Sequence, residues 1–308
     1  VDDLYGRDGN DTLSGGVGAN NTLIGGLGDD IYVVLSVGDS TIELAGEGND
    51  TVRTDFSIYG LQSNIEVLIF TGDGTHAAGV GNASNNTIYG GIGRDDLFGR
   101  EGNDILSGGG GAANTLVGQE GDDVYEIRAS GDSVVELAGQ GTDRVDLYTT
   151  SFVLPTNVEN LINAGGAAIT GIGNASDNFM SGAVLNDFLS GLDGNDILVG
   201  RGGADTLLGG AGADEFRYEG ADGVDTIVGY QAGIGRFALL SSGFSITGAV
   251  AFVQGPGAFA NTANSTFLYD SNTGIVAFDP DGNGAGASIH LASIGAGLTL
   301  SASDFVIL

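Results

Sequence analysis

The sequence predicts an all-β chain wound as a stacked solenoid, and three observations carry that expectation. A nine-residue phrase, G-x-x-G-x-D-x-U-x with U a large apolar residue, recurs in phase along the 308 residues. A longer unit of about 93 residues contains the phrase and is itself copied. The segments between phrases are short, rich in β-branched residues and bounded by Gly-Asp or Gly-Asn turns, as strands are. No stretch combines helical apolar spacing with caps.

The clearest phrases run end to end from Gly191, Gly200 and Gly209, and further copies begin at Gly6, Gly25, Gly90, Gly99 and Gly118. Each part has its own physical job. The glycines permit a tight turn with φ > 0 and close backbone approach. The aspartate places a hard oxygen ligand in that turn. The apolar residue at the eighth place starts a very short strand and points inward. Loop filler would not keep an apolar residue two places after each aspartate. Stacked units bury a thin core and align carboxylates along each edge, an arrangement suited to calcium.

On these residues the chain resembles the RTX (hemolysin-type) calcium-binding repeat proteins. The resemblance implies a parallel β-roll with several Ca²⁺ ions held between successive turns on one side. The implied metal-site aspartates are Asp11, Asp30, Asp95, Asp104, Asp123, Asp187, Asp196, Asp205 and Asp214. With them go the turn glycines Gly9, Gly28, Gly93, Gly102, Gly121, Gly194, Gly203 and Gly212, and the neighbours Asn10, Asp29, Asn103, Asp122 and Asn195. Edge partners in such a roll lie two phrases apart, which pairs Asp187 with Asp205 and Asp196 with Asp214. Asp11 and Asp30, and Asp104 and Asp123, are 19 apart because each pair spans a unit with one extra residue. Those inner units offer Asn21 and Asn114 in place of the aspartate. Paired carboxylates with turn carbonyls supply six or more oxygens at flexible distances, which favours Ca²⁺ over Mg²⁺.

Four segments follow from the repeats. Residues 1–94 form a first long repeat, already under way at Asp2-Asp3-Leu4, which leads us to expect residues upstream. Residues 95–186 form the second, matched at an offset of 93 through Glu66/Glu159 and 92 from Gly81/Gly173 onward. Residues 187–229 keep only the nonapeptides, and residues 230–308 leave the pattern. Within the first repeat, residues 31–35, 41–44, 51–53 and 65–70 read as strands. Asn82, Asn86, Asn174 and Asn178 are expected to bridge turns through the backbone. A continuous solenoid through both long repeats is the expectation. In the last segment, Phe267 to Phe278 reads as a hairpin and Ala287 to Leu291 as a strand. This segment resembles the C-terminal cap of RTX proteins, which carries an uncleaved type I secretion signal. Gly233-Ile-Gly235-Arg236 departs from that pattern by lacking the usual Asp before the basic residue. Asp279, Asp281 and Asn283 fit either part of a calcium loop or a plain β-turn.

The formal charge of −31, with 40 acidic residues against nine arginines, disfavours nucleic acid and insertion into an anionic membrane. Roughly eight calcium ions would cancel about half of it, so the ion belongs to the fold. There is no Cys, hence no disulfide. No catalytic constellation is visible: His76 and His290 lack partners in pattern, no Lys exists for a Walker motif, and Gly38-Asp39-Ser40 recurs as a turn at Gly131-Asp132-Ser133. Glu43/Glu136 and Glu66/Glu159 read as architecture. The expected function is a non-enzymatic, secreted or cell-surface calcium-binding structural protein of surface-layer, matrix or adhesin type. Its partners would be calcium, copies of itself in a lattice or filament, or cell-surface polysaccharide. The alternative is the secretion and folding module of a larger exoenzyme such as a protease, lipase or polysaccharide epimerase.

Overall fold

A computed structural model describes the chain except Val1, Ala19, residues 73–75, Ala112, Asp222, Ser245 and Thr247. Its regular structure is nearly all strand, and the chain separates into two compact units, Val1–Thr149 and Thr150–Leu308. In the first unit the chain advances by one parallel strand per turn. Thr12–Ser14, Ile31–Val34, Thr51–Thr54, Val67–Phe70, Thr87–Tyr89, Ile105–Ser107, Val124–Ile127 and Arg144–Leu147 follow one another as neighbours in a single sheet. The intervening strands make up two further sheets. One holds Asp3–Asp8, Thr22–Leu27 and Ser40–Ile42, and the other runs from Ile58–Gly60 to Ser133–Val135.

Parallel register stacks like on like. Leu13, Tyr32, Val52, Leu68, Ile88, Leu106, Tyr125 and Val145 are successive Cα partners. All eight are buried, and they form an inward column. Opposite them Gly79, Leu97, Leu116 and Val134 make a second column. The core is therefore only two side chains thick, and each strand needs only three or four residues to fill it. At Gly79 even a methyl would crowd the Phe70, Ile88 and Leu97 side chains.

The second unit winds the same way, with Leu161, Met180, Leu198, Phe216, Phe237 and Phe305 in one column. Gly171, Leu189, Leu207 and Ile227 face them. Here the roll is closed by aromatic rings. Phe237 stacks on Phe305 at 5.5 Å between centroids, Phe305 on Phe267 at 4.4 Å, and Phe267 meets Phe278 at 5.1 Å. The expected hairpin is the antiparallel pair Thr266–Asp270 and Ile275–Asp279, turned at Gly274 with φ 79°. The expected strand after it lies at Ile289–Ser293.

Two details differ from the sequence reading. A four-residue helix, Ser241–Phe244, and a 3-10 turn, Ala302–Asp304, are both too short to show helical periodicity. The strand expected over residues 65–70 begins at Val67, because Asn64 sits in a turn with φ 62°. The turn-bridging asparagines behave as expected. Asn82 Nδ2 donates to the Gln62 and Ile65 carbonyls at 2.7 and 2.8 Å. Asn174 Nδ2 donates to those of Pro155 and Val158, both at 2.7 Å.

Candidate metal centres

Turn after turn, a backbone amide donates to an Asp or Asn side-chain oxygen one turn further along the chain. In the first unit Asp11 N–H donates to Asp30 Oδ1 at 2.7 Å and Asp30 N–H to Asp50 Oδ1 at 2.8 Å. The second copy repeats this, with Asp104 donating to Asp123 at 2.7 Å and Asp123 to Asp143 at 2.8 Å. A second ladder runs from Ala77 through Asp95 and Asn114 to Asp132. In the other unit Asp187 donates to Asp205, Asp205 to Asp225, and Asp196 to Asp214. All four aspartate pairs read from the spacing are thus joined in the fold.

Using Oδ1 in the ladder leaves Oδ2 over. The Oδ2 atoms of Asp11, Asp30, Asp50, Asp95, Asp104, Asp123, Asp196 and Asp205 are buried with no hydrogen-bond partner. Each such atom costs on the order of 1–3 kcal/mol unless something positive meets it. The first glycine of each phrase makes room for it. A methyl on Gly6 would stand 2.8 Å from Asp11 Oδ2 and 2.7 Å from the Gly25 carbonyl oxygen of the next turn. A methyl on Gly99 would press on Asp104 Oδ2 and stand 2.9 Å from the Gly118 carbonyl oxygen. Carboxylate and carbonyl oxygens therefore converge over a bare Cα, a donor set that fits a hard divalent cation.

The chain shows what replaces the cation where the aspartate is missing. Asn21 occupies the same rung, and its Nδ2 donates to the Gly15 carbonyl at 2.8 Å and to Asp39 Oδ1 at 3.1 Å. Asn114 Nδ2 reaches Asp132 Oδ1 at 2.8 Å. An amide N–H supplies in those units the positive end that the aspartate units lack.

Electrostatics follows from this crowding. Burial pushes the carboxyls of Asp104, Asp123, Asp196 and Asp205 up to about 7. Amide hydrogen bonds oppose the rise, and neighbouring carboxylates add to it. Asp30, Asp95 and Asp214 are raised for the same first reason, desolvation.

The remaining residues divide by position. Gly9, Gly28, Gly102, Gly121, Gly194, Gly203 and Gly212 all have left-handed φ between 106° and 139°. In the phrase from Gly90 the left-handed residue is Gly91 instead of Gly93. Asn10, Asp29, Asn103, Asp122 and Asn195 form an outer, exposed ladder of the opposite sense. There the later turn donates, as in Asp29 N–H to Asn10 Oδ1 and Asp122 N–H to Asn103 Oδ1, both 3.0 Å. Asp187 differs from its peers, since its Oδ2 accepts the Ala183 amide at 2.8 Å. Near the departure at Gly233, Asp304 from the distant 3-10 turn accepts the Gly233 amide at 2.7 Å and the Tyr230 hydroxyl at 3.1 Å. Asp281 Oδ2 accepts the Gly286 amide at 3.0 Å inside a turn. His76 Nδ1 lies 2.7 Å from the exposed Arg94 carbonyl oxygen.

Spacing alone missed Asp39, Asp50, Asp132, Asp143 and Asp225, which continue the ladders beyond the intact phrases. Asp50 and Asp143 keep a usable signal, an Asp two places before Val52 and Val145 in a turn that has lost its first glycine.

Comparison with known proteins recognises the repeat. The family model of the RTX calcium-binding nonapeptide repeat matches in four copies, at residues 1–32, 80–113 and 181–216. Endo-1,3-1,4-beta-glycanase ExsH of Rhizobium meliloti (strain 1021) is 41% identical over 86 residues, 28% of this chain and 18% of that protein. Endo-1,3-1,4-beta-glycanase EglC of the same organism is 39% identical over 86 residues, with the same coverage. The chain thus spans less than a fifth of these curated relatives. Among solved structures, extracellular lipase LipA from Serratia marcescens matches 85% of this chain and 45% of its own at 17% identity, with a TM-score of 0.21.

Proposed function

Because this chain is an RTX-repeat protein, we propose that it is a secreted calcium-dependent structural protein whose roll folds when Ca²⁺ binds outside the cell. One observation carries the reading: the recurring buried Oδ2 atoms with no partner at Asp11, Asp30, Asp95, Asp104, Asp123, Asp196 and Asp205. These residues, with the carbonyls of the following turn, would hold the ions. A bound cation supplies the positive partner that an amide N–H dipole provides at Asn21. The chain's own residues do the rest. Their amides fix Oδ1, their glycines leave space for Oδ2, and their apolar columns bring successive turns together. Without the ion, like-charge repulsion and glycine entropy favour the unfolded chain. Millimolar calcium binds only the folded roll and shifts the balance by mass action.

In this reading residues 1–94 and 95–186 are architectural repeats, 187–229 a plain roll, and 230–308 a cap with the export signal. The duplicated long repeat supports a surface-layer, matrix or adhesin role, with self-assembly or cell-surface polysaccharide as partner. Among the described residues no helix is long and apolar enough to cross a membrane. The test is far-UV circular dichroism in chelator and in millimolar calcium. A β spectrum unchanged by chelation at pH 7.5 sinks the proposal.

The glycanase relatives favour a second reading, in which the chain is the calcium-binding module of a longer secreted enzyme. The shared 86 residues make up a minor part of each relative. A full-length reading frame with a hydrolase or zincin motif upstream of Val1 would decide for it.

A further inference from the structure

One pair of acidic clusters uses residues outside the nonapeptides. Asp30, Glu43 and Asp50 each offer a carboxylate oxygen, and these oxygens lie within 4.8 Å of one another. Asp123, Glu136 and Asp143 do the same. Each residue of the second set follows its counterpart by 93 positions, so the arrangement was duplicated whole. All six side chains are buried.

The first cluster is built around unmet oxygens. Asp30 Oδ2, Glu43 Oε2 and Asp50 Oδ2 are buried with no hydrogen-bond partner. Glu43, the most accessible of the three, is only 6% exposed. Tyr32 closes the pocket from the core side. Its hydroxyl accepts the Gly25 amide at 2.7 Å and donates to Glu43 Oε1. A methyl on Gly25 would collide with Asp30 Oδ2, Glu43 Oε1 and the Tyr32 hydroxyl together, so these oxygens converge on one small space. In the copy, Tyr125 accepts the Gly118 amide at 2.9 Å and donates to Glu136 Oε1. Asp123 Oδ2 and the Tyr125 hydroxyl crowd Gly118 in the same way. The sequence marks both places, since these are the phrases with Tyr at the eighth position and Glu eleven residues later.

We propose that Asp30, Glu43 and Asp50, and separately Asp123, Glu136 and Asp143, each form a buried all-oxygen site for one divalent cation of the calcium class. Three carboxylates packed this closely repel one another strongly in a buried setting. An amide ladder cannot relieve them, because it uses only Oδ1 of the aspartates. A hard cation with flexible coordination does so, and the phenol holds Glu in place as an outer partner of a ligand does. The sites would clamp the linking segments, residues 35–50 and 128–143, onto the roll, which the nonapeptide sites do not touch. The inference rests on the calcium reading above and deepens it at two of its sites, where Glu43 and Glu136 are ligands that the nonapeptides do not supply.

The test counts ions in the intact chain by equilibrium dialysis against calcium and by native mass spectrometry. Glu43→Gln with Glu136→Gln keeps an acceptor for each tyrosine and is expected to lose two ions per chain. An unchanged count overturns the inference while leaving the nonapeptide reading standing, whereas a chain that binds no calcium at all overturns both. Should the double variant fold poorly, Tb³⁺ luminescence excited through tyrosine keeps the question open to refutation. The chain has no Trp and nine Tyr, so emission reports ions beside a phenol. Tyr32→Phe with Tyr125→Phe preserves the core and is expected to lower the emission by more than half. Emission equal to that of the unmodified chain overturns the proposal.

Discussion

Stability of the metal-free chain should fall as pH rises, the opposite of ordinary acid denaturation. Seven buried carboxyls set the effect: Asp50 is pushed up to about 6, Glu43, Asp104, Asp123, Asp196 and Asp205 to about 7, and Glu136 to about 8. Desolvation is the leading cause in each, against ordinary values of 3.8 for Asp and 4.5 for Glu. A folded-state value above the unfolded one means that the folded chain holds more protons. The stability that these seven groups supply is then complete below about pH 4 and drains away as pH climbs through about 6 to 8. Each extra proton changes stability by about 1.4 kcal/mol per pH unit. If only two or three of the seven act independently, the loss is roughly 3–4 kcal/mol per unit between pH 5 and 6. A domain stable by about 5–15 kcal/mol loses its fold within a few units at that slope. Thermal melts followed by circular dichroism in chelator at pH 4.5, 5.5, 6.5 and 7.5 measure this directly. A parallel series in millimolar calcium should be nearly flat, with protons released on binding. A metal-free melting temperature that stays level or rises from pH 5 to 7.5 would refute the reasoning.

Three further outcomes are expected. Asp196→Asn with Asp205→Asn imitates the Asn21 rung, so in chelator at pH 7.5 the variant should keep more β signal than the unmodified chain. The same variant should need about tenfold more calcium for half-maximal folding, or roughly 1.4 kcal/mol, and a calcium titration reads both effects. Leu106→Ala truncates a fully buried column residue and should cost about 2–5 kcal/mol in calcium-loaded denaturant unfolding. Gly9→Ala should cost about 1–2 kcal/mol from its φ of 107° alone, since a methyl there meets nothing within 4 Å. Gly121→Ala should cost clearly more, because the methyl also meets the Gly102 carbonyl and stands 3.1 Å from the Asn103 amide nitrogen. Equal losses for the two glycines would count against close turn packing.

The phrase at Gly191 to Arg217 made the all-β stacked fold legible, because its glycine, aspartate and apolar places each answer to a separate local demand. Parallel register then followed from the 18- and 19-residue spacing, as Leu189 against Leu207 and Asp11 against Asp30 illustrate. What stayed hidden depends on contacts between distant segments. Glu43 reads as an ordinary strand residue until Tyr32 and Asp50 are brought beside it. Asp304 lies 71 residues from the Gly233 amide that it accepts, and no local pattern announces that closure. The hydrogen bonds of the outer ladder escaped for another reason. Asn10 and Asp29 read as neighbours of the metal-site aspartates, and only their stacked register reveals that each carries the next turn's amide.

Ladder partners along the chain stand 18, 19 or 20 residues apart and still bond through the same two atoms. A turn can therefore swell by a residue or two and keep its ladder bonds, as between Asp11 and Asp30, where Val17 stands exposed. The same tolerance applies to whole turns. Cutting out one intact phrase pair, such as Gly191 to Leu208, would leave compatible ends above and below the gap. Reach is then a quantity that duplication and deletion can adjust in steps, like notches on a strap, with the ion chemistry of every remaining step unchanged.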